Sequence, residues 1–179
     1  MVSNIWLHEE EVSERQGTIR CLLRPLRPEE TDVGCTIPEF SRRGSLIFGA
    51  HDGQVRNVSY RSWRFRSYVS DITCQYFEIW HADANRTRFS LYRAYLNLFV
   101  IDRETHTEPE LLSVHCDPLS DEEEPQRSFK RGPHLHVVKA IHPIPKFHFP
   151  LNLGHLEDVL SSISTLTDAL EQAIFVIDK

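Results

Sequence analysis

Apolar and polar residues alternate with a period of two through the middle of the chain, and the period lengthens to that of a helix only near the end. Residues 3–8 and 18–24 read as short strands, and 25–44 as irregular chain broken by Pro25 and Pro28 with one short helical turn. Ser45 to Gly49 reads as a strand, and Asp52-Gly53 as the turn of a hairpin. From Val58 to Val69, Trp63, Phe65 and Val69 point one way and Arg64 and Arg66 the other. Ile72 to His81 is rich in the aromatic and β-branched residues that suit a pleated surface, and Ala82 to Asn85 reads as a turn. Arg88 to Ile101 reads as a long strand, although Leu91, Tyr95 and Leu98 also fit a helical spacing. Leu111 to Cys116, His134 to Lys139 and Lys146 to Phe149 complete the strands, the last fenced by prolines and so suited to a sheet edge.

The helical period begins at Leu156 and continues through Val159, Leu160, Ile163, Leu166, Leu170, Ala173, Ile174 and Ile177. Asn152 or Gly154 can open this segment, and the serines and threonines from Ser161 to Thr165 can divide it. The pattern predicts an α+β fold, a mostly antiparallel β-sheet of five to seven strands packed by a C-terminal amphipathic helix. It also predicts a single domain over 1–179, an acidic surface loop at 117–133 and a C-terminal helical segment at 155–177.

Composition narrows this only a little. With 40% hydrophobic and 26% charged residues the chain reads as globular rather than disordered. No stretch approaches the ~20 apolar residues that cross a bilayer, so no membrane is expected as a partner. The N-terminus has neither a cationic start nor an apolar core, which predicts a cytoplasmic protein. Cys21, Cys35, Cys74 and Cys116 form no CxxC pair and are expected as reduced thiols.

Charge is more informative in its distribution than in its total of −6. From Arg42 to Arg103 ten arginines face five acidic residues, whereas Glu104 to Pro125 holds eight acidic residues and no Lys or Arg. Each run reads either as a solvated face or as a basic face for a polyanion beside an acidic loop that covers it. Arg61, Arg64, Arg66 and Arg88 are interleaved with Tyr60, Trp63, Tyr68 and Tyr92, as in a nucleic-acid platform of phosphate contacts and stacked bases. Against this, alternation assigns Trp63 to the core side of that strand.

Histidine carries the candidate chemistry. Six of the ten histidines lie between His115 and His155. In Arg131-Gly132-Pro133-His134-Leu135-His136-Val137, a strand sends His134 and His136 to one face. Lys146-Phe147-His148-Phe149-Pro150 repeats a histidine between apolar neighbours. If the two segments pair, His134, His136, His148 and Lys146 share a surface. Three uses are open. Paired imidazoles can act as general base and acid on RNA without a metal, with Arg131 or Lys146 stabilising the charged phosphorane. H-x-H with a third histidine can bind zinc. The histidines can also be structural, on a sheet edge that meets a partner protein. A two-histidine phosphoesterase needs a hydroxyl after each motif, but this chain has His136 and Pro150 there. Walker, GxGxxG, G-x-S-x-G and CxxC zinc-ribbon motifs are absent from the sequence.

Leu112 to Pro118, Arg131 to Val137 and Leu156 to Ile163, in that order, resemble the late strand, His-rich turn and leucine-patterned helix of the TumE-type ribonuclease toxins, which have a RelE-like sheet. The resemblance rests on order and composition rather than on an identical motif. It implies cleavage of RNA, a cognate antitoxin protein as partner, and His134, His136 and His148 near the chemistry.

Overall fold

A computed structural model describes residues 5–27, 34–36, 45–51, 63–117, 134–137, 147–150 and 162–177. In chain order the elements are β1 (Trp6–His8), α1 (Val12–Leu23), β2 (Gly34–Thr36), β3 (Ser45–His51), β4 (Phe65–Arg66), β5 (Ile72–Ala82), β6 (Arg88–Val100), β7 (Glu110–Cys116), β8 (His134–Val137), β9 (Phe147–Pro150) and α2 (Ile163–Ile177). The sheet runs β2-β3-β5-β6-β7-β8-β9, with β1 paired to β6 and β4 to β5. Every pairing is antiparallel. The fold is therefore α+β, with a mostly antiparallel sheet and a C-terminal helix.

The long central hairpin β5–β6 organises the sheet. Each of its strands is longer than its outer neighbour, and a short strand extends the pairing. β4 meets β5 at Thr73 and Cys74, below the β3 pairing, while β1 meets β6 at Arg88 to Ser90, beyond the β7 pairing. The hairpin turns at Asp83, whose carboxylate accepts a 3.1 Å hydrogen bond from the Thr87 amide, while Arg86 adopts a left-handed φ of 59°. Residues 88–100 are strand rather than helix because β5 and β7 bond both edges, and Phe89, Leu91, Ala94, Leu96 and Leu98 enter the core.

Residues 18–23 are helical, not the short strand expected from the sequence. Ile19, Leu22, Leu23 and Leu26 recur at i, i+3, i+4 and i+7, and all are buried. The acidic run Glu9–Glu11 forms a 3-10 turn at the positive end of α1, and Glu11 accepts a 2.8 Å hydrogen bond from the His8 amide. The predicted strand from Val58 to Val69 is strand only at Phe65–Arg66 among its described residues, with 58–62 outside them. Phe65 is buried and Arg66 exposed as alternation requires, but Val69 is exposed in the bend that follows. Trp63 packs against Gly49, where an added Cβ would overlap its ring.

α2 begins where the serine and threonine cluster lies. Ser162 and Thr165 bond each other reciprocally through side chain and backbone, closing the first turn. Leu166, Ala169, Leu170, Ala173 and Ile174 turn inward. Residues 155–161 of the expected helical segment, and the acidic loop beyond Asp117, lie outside the described residues.

The two helices cover one face of the sheet, and a buried ion pair joins them to it. On β5, Tyr76, Glu78 and Trp80 stand two residues apart and project to the same side. Arg15 of α1 donates through Nε (3.2 Å) and Nη2 to the Glu78 carboxylate. The Tyr76 hydroxyl and Trp80 Nε1 (2.9 Å) donate to the same group. Arg15 Nη1 reaches Thr167 Oγ1 of α2 at 2.6 Å. The two side chains are 2% and 0% exposed. Burial alone would lower the Arg15 pKa, but Glu78 and Tyr76 beside it more than offset this and hold it above its ordinary value.

Two outcomes test this packing. Gly17 is exposed in the middle of α1 with open space where a Cβ would go, so Gly17→Ala should stabilise the protein by about 0.5–1 kcal/mol, whereas Gly49→Ala should destabilise it by forcing Trp63 to move; thermal melts read both. Arg15→Ala should cost about 3–5 kcal/mol by leaving Glu78 buried without its cation, and Arg15→Met with Glu78→Gln should cost less than the sum of the two single changes in a urea double-mutant cycle.

Candidate functional site

Committing Tyr76, Glu78 and Trp80 to the core turns Gln75, Phe77 and Ile79 to the other face of the sheet. Register carries this choice across the strands. Phe77 lies opposite Tyr95, Tyr95 opposite His115, and His115 opposite His134. In the adjacent row Gln75 lies opposite Asn97, Asn97 opposite Ser113, Ser113 opposite His136, and His136 opposite His148. The face remote from the helices therefore gathers histidines from β7 and β8, with His148 of β9 next in register.

The rings form a ladder. Phe77 and Tyr95 are 5.1 Å apart. Tyr95 stacks on His115 at 4.1 Å with 6° between the planes. His115 meets His134 edge-on at 5.5 Å and His136 at 5.7 Å. His134 is 2% exposed, while His115 and His136 are half-buried.

Ser113 is the hub of the second row. Its Oγ lies 2.7 Å from Asn97 Oδ1, 2.6 Å from Glu110 Oε1 and 2.7 Å from His115 Nε2. A hydroxyl has one proton to give, and both oxygens compete for it, so His115 is the donor in its contact. That sets the ring proton on Nε2 and makes Nδ1 the basic nitrogen of the neutral imidazole. The Glu110, Ser113 and His115 types suggest a nucleophilic triad, but Ser113 is 0% exposed and its oxygen is enclosed by the other groups. It orients His115 rather than attacking a substrate.

The other flank of the ladder is held by charge. Tyr95 donates to both Asp117 oxygens at 3.0 Å, and Arg93 Nε lies 3.7 Å from the same carboxylate. Burial, then the Asp117 charge, push the Tyr95 phenol well above its ordinary value against the opposing pull of Arg93, so it keeps its proton. Burial and the Arg93 cation lower His81, which leaves that ring neutral at neutral pH. Cys74 and Cys116 are buried thiols pushed up, Cys74 to about 12, and neither supplies a thiolate nucleophile.

The histidines expected from the sequence thus share a neighbourhood, and β8 and β9 pair as the shared-surface reading requires. Arg131 and Lys146 lie outside the described residues, as does Arg61. The arginines expected to form a platform are apart from the cluster. Arg64 bonds Glu108 at 2.7 Å and lies 3.6 Å over the Phe99 ring, and Arg66 is exposed on β4. Arg88 pairs with Asp83 and lies 4.6 Å over Trp6, at the far end of β6 from Phe99. Among the described residues no group of three or more His, Cys, Asp or Glu side chains is placed to hold a metal ion. A separate cleft of about 290 Å³ lies between α1 and α2 on the opposite face, edged by Glu11, Glu14 and Asp168. Tyr95, Ser113, His115 and Asp117 join the site only through strand pairing, which one-dimensional spacing does not reveal; the clue for His115 and Ser113 is their own i, i+2 spacing on a strand.

Site and fold together define an α+β protein with a histidine cluster on the sheet face remote from the helices. No family model, no curated protein and no solved structure matches the chain.

Loss of the Ser113 hydroxyl tests the hub. Ser113→Ala should cost about 1–3 kcal/mol by removing the shared partner of Asn97, Glu110 and His115, and nitrogen NMR of the imidazoles should show the His115 proton redistributing between its ring nitrogens.

Proposed function

We propose that the histidine face is an acid–base site that cleaves RNA without a metal ion. The observation that carries this reading is the placement of His115 and His136 on adjacent strands with ring centroids 5.7 Å apart. That separation is short enough for both rings to reach oxygens of one phosphate. His115, with Nδ1 as its basic nitrogen, takes the proton of the attacking 2′-hydroxyl. His136, as imidazolium, returns a proton to the leaving 5′-oxygen. Histidine suits both halves because its pKa lies nearest neutrality. His134, buried beside the pair with its ring against His115, positions it. His148, opposite His136, and Arg131 and Lys146, which adjoin β8 and β9 in sequence, are the remaining participants, the cations stabilising the phosphorane.

The order of late strand, His-rich segment and leucine-patterned helix, which resembles the TumE-type toxins, supports the same chemistry and implies an inhibitory partner protein. The zinc-dependent alternative uses the same His134, His136 and His148, and the non-catalytic alternative uses the same face as a protein contact.

Cleavage of labelled single-stranded RNA in excess chelator distinguishes them. The expected rate profile is bell-shaped in pH, falling on the acid side as the base protonates and on the alkaline side as the acid loses its proton. His115→Ala and His136→Ala should each lower the rate by about 10²–10⁴ with RNA affinity within a few-fold. Activity lost in chelator and restored by zinc would establish the zinc enzyme. No cleavage of several RNAs by protein freed of bound inhibitor would leave the face to a protein partner.

A further inference from the structure

The ladder of rings continues past Tyr95 on its other side. Between β5 and β6 the register shifts, so that Ile79 faces Arg93 and Trp80 faces Leu91, and Tyr92 falls outside the pairing. Such a bulge re-aims side chains, and here it brings two consecutive residues, Tyr92 and Arg93, to the histidine face. Tyr92 stacks with His81 at 4.4 Å and 16°. The Arg93 guanidinium lies 4.4 Å from the Tyr92 centroid and 5.6 Å from that of Tyr95, and donates to the Tyr92 hydroxyl at 2.9 Å. Asp117 stands 3.7 Å from Arg93 Nε, close enough to pair in charge but beyond a hydrogen bond. His81, Tyr92, Arg93, Tyr95 and His115 thus form one continuous column. His81, which is exposed, is its open end, and the candidate chemistry lies at the other.

We propose that His81, Tyr92 and Arg93 form a subsite that stacks an unpaired base of a single-stranded RNA whose scissile phosphate lies at His115 and His136. The inference rests on the RNA-cleavage reading and names the form of the substrate. A base is available to stack on a side chain only when it is splayed from its neighbours, which single strands permit and duplexes do not. Stacking on an aromatic column is tolerant of sequence, and an arginine within the column adds a cation–π contact and reaches the adjoining phosphate. Arg93 is the cation that stands within the column. The subsite uses neither Arg64 nor Arg88, which are engaged with Glu108 and Asp83.

The test is fluorescence anisotropy with a short labelled RNA carrying 2′-O-methyl riboses, which blocks cleavage by removing the nucleophile. Binding should be tighter to the single strand than to the same sequence in a duplex. His81→Ala should weaken it roughly tenfold, His81→Phe should restore it, and His136→Ala should leave it within a few-fold. Wild-type affinity in His81→Ala, in a protein that cleaves RNA, would overturn the subsite while leaving the cleavage reading intact. Equal affinity for single strand and duplex would overturn it as well. Absence of both binding and cleavage would remove the cleavage reading, and this inference with it, and leave the face to a protein partner.

Discussion

The buried contact between Arg15 and Glu78 is the constraint on which the rest of the arrangement depends. A carboxylate held out of water is tolerable only if it is paired and its lone pairs are filled, and Glu78 receives donors from Arg15, Tyr76 and Trp80. Those donors come from α1 and from both same-face neighbours on β5, and Arg15 extends the link to Thr167 of α2. The network fixes where both helices sit. It also fixes which way the central strand faces, because moving Glu78 outward would reverse every side chain of β5.

Once β5 is oriented, pairing does the rest. Each antiparallel neighbour places its residues on the face of the one before, so the outward choice at Phe77 passes to Tyr95, His115 and His134, and that at Gln75 to Asn97, Ser113 and His136. Leu96, Val114 and Leu135 take the inward places in the same strands and anchor the register by burial. A slip of one residue in β8 would send Leu135 to the face remote from the helices and draw the histidines into an apolar layer, which is costly for imidazole. The hydrophobic core thus holds the polar site in register.

The face remote from the helices is held by two polar hubs. Ser113 gathers Asn97, Glu110 and His115 on one flank, and Asp117 gathers Tyr95 and Arg93 on the other. Stacked rings between these hubs restrict the orientation of His115. Such contacts fix the angle of the ring, which the proposed role as general base would require. The two bulges in the ladder, opposite Tyr92 and near Phe99, add outward side chains that regular alternation would not supply.

What the sequence determined by itself was periodicity. The β-forming composition of 72–81, the alternation in 88–101, the His134-Leu135-His136 pair on a strand and the apolar stripe of α2 were legible because each depends on neighbours along the chain. The stripe through Ile19, Leu22, Leu23 and Leu26 was present too, but it starts inside a short apolar run that also suits a strand, and burial of all four residues accompanies the helix. The partner of Arg15 lies 63 residues away, and His115 joins His134 and Tyr95 only across hydrogen-bonded strands. Such contacts have no signature in spacing, because they depend on which strands pair and in what register, and burial of the whole core selects that pairing.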